Sequence, residues 1–334
     1  GFLHSRLMVS VDAYYKKTSD LLIRKSLPLY SGFTSGLSNV GSVENKGFEV
    51  EVVSHNLNRA LKWDTRLNFG VNRNKVLDLG GGGDIALTSS KPMGTVSEEQ
   101  FAVIREGEPL GSLYGYVYAG VLQAGETYAP QPNSKPGDPK FQDLSGPDGK
   151  PDGKIDNNDR TIIGSANPKF IYGVTNTFDY RNFDLSIFFH GSVGNKLLNM
   201  TRMNLEWNRT TESLNRWTPS NTATDIPRNG FYYSKYGGYI NSHFIEDASF
   251  LRMKNITLGY TVRPQSKIFQ SFRVYGSVEN IFTITKYTGW DPEVDTKGYE
   301  SNSTGGQTAN AGAGLDFNSY PGMRSYTLGV NFNF

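Results

Sequence analysis

Along much of this chain apolar residues fall on every second position, which in an extended strand places them on one face and their polar neighbours on the other. At the end of the chain Tyr326, Leu328, Val330, Phe332 and Phe334 alternate with Thr327, Gly329, Asn331 and Asn333. Near its start Leu7, Val9, Val11, Ala13 and Tyr15 repeat the pattern, and a second short strand is predicted at 21–25, after a turn at Lys17–Asp20. Phe48, Val50 and Val52 alternate with Glu49 and Glu51; beyond a turn at 56–59, Trp63, Thr65, Leu67, Phe69 and Val71 alternate with polar residues, which predicts a hairpin. A second hairpin joins Phe170, Tyr172 and Val174 to Phe183, Leu185, Ile187 and Phe189. A third joins Ile256, Leu258, Tyr260 and Val262 to Phe272, Val274 and Val278.

The connections are unequal. Short polar turns alternate with stretches at about 77–98, 123–168, 194–247 and 283–320 that are rich in Gly, Asn, Pro and Ser and far longer than ordinary hairpin loops. Short turns at one end and long loops at the other, with strands near the ~9–11 residues of a tilted membrane strand, predict an all-β fold: a transmembrane antiparallel β-barrel with about ten to eleven strands in this chain. Within 194–247, Met200, Met203, Trp207, Leu214 and Trp217 fall at near-helical spacing and predict a helix over 196–217.

Composition sharpens this reading. A mean hydropathy of −0.47 beside 13% aromatic residues is odd for a packed core, but suits a wall that is apolar on one side only, with aromatic girdles. Cysteine is absent, which excludes thiol chemistry within this chain. Lys and Arg are scattered at a net charge of +2, which argues against a nucleic-acid groove. Residues 1–10 show no signal-peptide pattern.

Longer strings carry a resemblance. Ile245-Glu-Asp-Ala-Ser-Phe-Leu-Arg-Met-Lys-Asn-Ile-Thr-Leu-Gly-Tyr260, the stretch Val274–Glu293, Asn39–Glu49, Gly111–Tyr116, Arg216–Pro219 and Ser319–Gly329 closely resemble the C-terminal barrel of SusC/RagA-type TonB-dependent outer-membrane transporters. The resemblance implies a 22-stranded barrel in the outer membrane of a Gram-negative, Bacteroidota-like bacterium. It also implies that residues 1–334 are the C-terminal portion, with the plug domain and TonB-contacting segment outside this sequence. By the same resemblance, a SusD-like surface lipoprotein covers the mouth, TonB supplies energy, and the cargo is an oligosaccharide or oligopeptide. Phe334 is then the terminal residue of the closing strand and a signal for barrel assembly, and the chain acts as an importer and not as an enzyme.

One constellation suggests an ion. Asp143-Leu-Ser-Gly-Pro-Asp-Gly-Lys-Pro-Asp-Gly-Lys-Ile-Asp-Asn-Asn-Asp159 places carboxylates around tight Gly turns, in the manner of a calcium loop that gathers six to eight oxygens. Asp148, Asp152, Lys154 and Asp159 fit the register; Lys150 occupies a ligand position without a side-chain oxygen, and Asp143 and Ser145 are the substitutes. The expected role of Ca²⁺ is to stiffen the loop. The four histidines, His4, His55, His190 and His243, are far apart in sequence and read as isolated polar residues. Glu49 and Glu51 read as lumen-facing, and Trp207, Trp217, Tyr232, Tyr233, Tyr236, Tyr239 and Trp290 as loop aromatics suited to packing, partner contact or stacking on a cargo. Two other classes fit part of the pattern: a SusC-like structural subunit of a larger outer-membrane complex, and a secreted calcium-dependent β-sandwich that binds glycans.

Overall fold

A computed structural model describes residues 2–26, 32, 35–81, 83–88, 100–207, 210–229, 239–265, 270–294 and 313–333. Its frame is one antiparallel sheet of eight strands, labelled in chain order: β1 (Leu7–Ser26), β2 (Ser35–Asn58), β3 (Leu61–Asp78), β4 (Phe170–Tyr180), β5 (Phe183–Val193), β6 (Phe250–Val262), β7 (Ser271–Thr285) and β8 (Ser325–Asn333). Each strand pairs with the next, so spatial order equals chain order and the sheet is a meander with β1 and β8 at its edges.

The register aligns one apolar face across the whole wall. Val330 of β8 faces Val274, which faces Tyr260, which faces Phe183. Farther along, Leu67 sits between Val52 and Val174, and Val52 faces Val9. Phe183 and Leu258 lie in strands with neighbours on both sides and are still 51% and 53% exposed. Apolar side chains in a sheet interior stay exposed only if the solvent on that side is not water. No second sheet covers this face among the described residues, which removes the β-sandwich alternative, since a sandwich buries its apolar faces against each other. Aromatic pairs mark both ends of the face: Trp63 with Phe178 and Phe183 with Tyr260 near the short turns, Phe48 with Phe69 and Phe69 with Phe170 toward the long loops.

Glycine matters where tyrosines fold over the opposite face. A Cβ on Gly47 would stand 2.7 Å from the Tyr14 hydroxyl, and one on Gly329 would stand 2.5 Å from the Tyr275 ring. Those rings cover backbone that a side chain would otherwise occupy.

The packed core lies above the wall, in the long connections. Phe101, Leu113, Leu198, Met203, Phe244 and Leu315 form its largest cluster. Small sheets hold it: Ile85–Thr88, Gln100–Ile104, Ser112–Gly115 and Thr161–Ser165 in one, Lys196–Asn199, Ile245–Asp247 and Leu315–Asp316 in another, and Tyr118–Val121 with Pro139–Phe141 in a third.

Several expectations change in detail. The segments at 7–15 and 21–25 are one strand, and the expected turn at Lys17–Asp20 is an irregularity in its register with Asp20 at φ 56°. The Gly-, Ser- and Asn-rich stretch 35–47, whose side chains give no alternation, is the first half of β2, its backbone paired to β1 and, from Ser42 on, also to β3. The described wall therefore holds eight long strands, and the further strands are short pieces of the loop sheets. The predicted helix shrinks to α1 (Met200–Trp207); Leu214 is 74% exposed, and Trp217 is buried by other loops. Phe334 lies outside the described residues.

Candidate functional site: the polar face and the loops above it

Because side chains alternate, fixing the apolar residues outward places their neighbours on the inner face. Asp12 sits directly across from Glu49, and Ser10 across from Glu51, which in turn faces Asn68. These residues border a cavity of about 840 Å³ whose far side includes His190, Asn195 and Glu293. Glu49 and Glu51 thus lie on the polar face, as their alternation with Phe48 and Val50 predicts. Cations partly balance the charge: Arg66 Nε lies 3.5 Å from Glu51, and Arg273 clamps Asp184 through two hydrogen bonds of 2.8 and 2.5 Å.

At the loop end of the same face, Arg252 ties wall to cap. Its guanidinium donates to Asp291 at 2.5 Å and pairs with Glu293 at 2.7 Å, and its Nε donates to Thr283 at 2.8 Å. Burial pushes the Asp291 carboxyl up, but the hydrogen bonds from Arg252 and from the Glu293 backbone outweigh it and hold the group below its ordinary range. Both side chains are fixed by a 39-residue reach in sequence that joins β6 to the loop after β7.

A second charged cluster is buried in the cap. Arg202 of α1 donates to Glu206 at 2.6 Å, one helical turn on, and reaches Glu246 at 3.4 Å. His243 Nε2 lies 2.9 Å from the other Glu206 oxygen, and both side chains are almost fully buried. Glu246 also accepts from the Thr288 backbone at 2.8 Å, so three separate connections meet at this point. Burial works against the charge of Arg202, yet Glu206 and Glu246 raise its affinity for the proton above the ordinary value. The expectation that His243 is an isolated polar residue is thereby corrected. Its partners lie 37 and 41 residues away, and no spacing in the sequence announces them. Nearby, burial and a hydrogen bond to Asp316 push the Tyr287 hydroxyl far up.

In the loop at 143–159 three carboxylates accept from backbone amides. Asp159 is buried and accepts from the backbone of Leu144 at 2.8 Å, Ser145 at 3.2 Å and Asp156 at 2.8 Å. Asp143 accepts from Asp152 and Gly153 N–H groups at 3.3 and 2.8 Å, and Asp152 accepts from Lys154 N–H at 3.0 Å. Asp148 makes no such bond, and Ser145 and Lys154 contribute only their backbone N–H groups. Among the described residues no three His, Cys, Asp or Glu side chains come together in a way that would hold a metal. The six candidate ligand residues, Asp143, Ser145, Asp148, Asp152, Lys154 and Asp159, thus share one loop in which oxygens of Asp143, Asp152 and Asp159 accept from backbone amides.

The loop aromatics divide. Trp207 and Trp217 are buried, and Trp217 Nε1 donates to Gln123 at 3.0 Å. Tyr239 stacks on Tyr116 at 4.3 Å, and Trp290 is exposed. Tyr232, Tyr233 and Tyr236 lie outside the described residues.

Comparison with known proteins identifies the wall. The chain is 39% identical over 342 residues to TonB-dependent receptor P3 of Formosa agariphila, a match that covers 99% of this chain and 32% of that protein. With TonB-dependent receptor SusC of Bacteroides thetaiotaomicron it shares 29% identity over 343 residues, covering 100% of this chain and 31% of SusC. It superposes on the RagAB peptide importer in the open-open state with a TM-score of 0.74 and 27% identity, covering 99% of this chain and 33% of that one. Over nearly its whole length the chain is similar to the barrel of SusC/RagA-type TonB-dependent receptors. No family model matches it. The chain spans about a third of the length of the curated relatives it matches.

Proposed function

We propose that the full-length receptor is an active importer of a nutrient across the outer membrane of a Gram-negative bacterium, and that residues 1–334 form the C-terminal part of its barrel. The observation that carries this reading is the wall itself: eight strands in register with one continuous apolar face, a polar face lined by charged residues, and a superposition on the RagAB peptide importer over nearly the whole chain. In this reading TonB supplies the energy through a segment outside this sequence, and a SusD-like lipoprotein sits over the long-loop end. The packed cap of small sheets at that end supplies a firm surface for such a partner. The cargo class is an oligosaccharide or oligopeptide; the peptide importer among the structural relatives favours the latter. Transport, not chemistry on the cargo, is the reading that the similarity to TonB-dependent receptors and to a peptide importer supports.

Deleting the TonB-contacting segment of the full-length receptor tests this. Uptake of labelled oligopeptide or oligosaccharide should stop while the barrel remains in the membrane. Undiminished function after the deletion would favour a structural subunit instead. Co-purification with a lipoprotein encoded beside it tests the partner. The calcium reading of the loop rests on the sequence spacing of Asp143–Asp159 alone and requires carboxylates now bonded to backbone amides to turn toward an ion. Calorimetry of Ca²⁺ binding to the intact receptor and to Asp152→Ala and Asp159→Ala decides it, and unchanged binding in both variants would remove the site.

A further inference from the structure

The apolar face is interrupted by one polar island. Ser54 and Asn56 of β2, Thr65 of β3 and Asn176 of β4 sit on the outward side, where the corresponding positions in β5, β6 and β7 are Ile187, Ile256 and Val278. Their side chains form a chain of hydrogen bonds. Ser54 Oγ donates to Asn56 Oδ1 at 2.8 Å, Asn56 Nδ2 to Thr65 Oγ1 at 2.8 Å, and Thr65 Oγ1 to Asn176 Oδ1 at 2.7 Å. Trp63 Nε1 also donates to Asn176 Oδ1, at 3.0 Å.

The inventory of this network is lopsided. Both lone pairs of Asn176 Oδ1 are taken, while its amide Nδ2, with two hydrogens, finds no acceptor among the described residues. Asn56 Nδ2 makes one side-chain bond and keeps a second hydrogen. The Arg6 guanidinium adds a cation at the same bulge, holding the carbonyls of His55 and Asn56 at 3.2 and 2.6 Å. Spare donors beside a cation on a lipid-facing surface require an acceptor, because bare N–H groups in hydrocarbon are costly.

The height of the island says where that acceptor comes from. On β2 the outward apolar run Phe48, Val50, Val52 is bounded by Lys46 on one side and Ser54 on the other; on β3, Arg73 and Thr65 bound Val71, Phe69 and Leu67. Eight residues of strand tilted by ~40° rise about 20 Å, close to the ~25 Å of the apolar band. Ser54 and Thr65 therefore stand at the edge of the hydrocarbon on the short-turn side, level with lipid phosphates and ester carbonyls, while Trp63 and Leu61 lie among the headgroups.

We propose that this island is a phospholipid site, in which the Asn176 amide and Arg6 hold the acceptor-only phosphodiester and ester oxygens of one lipid of the short-turn leaflet. The test uses the full-length receptor in detergent, with phosphatidylethanolamine added, and native mass spectrometry to count retained lipid. Asn176→Leu should retain the lipid about fivefold more weakly, the scale of one lost hydrogen bond, while Thr177→Val on the inner face should leave retention unchanged. If Asn176→Leu fails to give a heat-modifiable folded band, Asn176→Asp, which keeps the shape and replaces donors by acceptors, should show the same loss. Equal retention in the folded variants overturns the proposal. So does a variant that keeps its lipid but loses a dimeric mass, which would assign the island to contact with a second copy.

Discussion

Replacing Leu258 by arginine puts a charge where the wall is most apolar. Leu258 lies in β6 between Leu185 of β5 and Gly276 of β7, is half exposed on the outward face, and has Tyr260 and Ile256 as its outward neighbours along the strand. With apolar outward neighbours on both sides along the strand and Leu185 beside it, it lies inside the apolar band. Arginine at such depth costs about 2–4 kcal/mol in a membrane barrel. At ~1.4 kcal/mol per decade, that lowers the folding equilibrium constant about 30- to 700-fold. The neighbouring Thr257→Arg turns its charge to the polar face. It forfeits hydrogen bonds of Thr257 Oγ1 with Asn255 at 3.0 Å and Ser277 at 2.9 Å, a loss of about 1 kcal/mol. The assay is urea-dependent folding of the full-length receptor into phospholipid vesicles, read by heat-modifiable gel migration. Equal costs for the two variants, or a larger cost for Thr257→Arg, would refute the assignment of faces.

Three further outcomes follow from the loops. Asp159→Ala removes the buried acceptor of three backbone N–H groups and should destabilise the 143–159 loop by about 2–3 kcal/mol, seen as faster amide exchange at Leu144 and Ser145; unchanged exchange would mean that Asp159 does not anchor the loop. Because the folded Asp291 carboxyl lies below its ordinary 3.8, its contribution is complete above that pH and is lost as pH falls through the lower folded value. Acid titration of the receptor should therefore loosen the Arg252–Asp291 tie only below about pH 4, and Asp291→Asn should abolish that part of the pH dependence. Glu206→Ala leaves the half-buried Arg202 with Glu246 alone, takes the 2.9 Å partner from the buried His243, and should cost about 3 kcal/mol, measured as protease cleavage within 200–247; wild-type resistance would show that the network is dispensable.

Period two made the wall legible from the residues alone. The outward set Val9, Val52, Leu67 and Val174 can be picked from alternation and is the set that the register aligns. What stayed hidden has physical causes. Residues 35–47 carry too few apolar side chains to alternate, so only pairing, with β1 and from Ser42 also with β3, reveals them as strand. The Lys17–Asp20 segment reads as a turn because its residues suit one, and the left-handed Asp20 is absorbed within a strand instead. The island at Asn176 breaks the pattern by one polar residue per strand, which in a single strand looks like noise. The Arg202–Glu206–His243–Glu246 cluster depends on loops that return to one point, and pairwise spacing in sequence holds no trace of that. In the Asp143–Asp159 loop the spacing of carboxylates suits an ion, and the same aspartates next to Gly turns serve as acceptors for their own backbone, a pairing that spacing alone does not announce.

The direction of the two faces is measured most directly by spin labels. This stretch of chain has no cysteine, so single cysteines at Leu258 and Val278 on one face, and at Thr257 and Ser277 on the other, can be introduced into a full-length receptor whose remaining cysteines, if any, are replaced. After reconstitution in phospholipid vesicles, labels at 258 and 278 should collide with dissolved oxygen and be shielded from a water-soluble nickel chelate. Labels at 257 and 277 should show the reverse preference. Chelate access at 258 and 278 equal to that at 257 and 277 would contradict a wall that faces lipid on its apolar side.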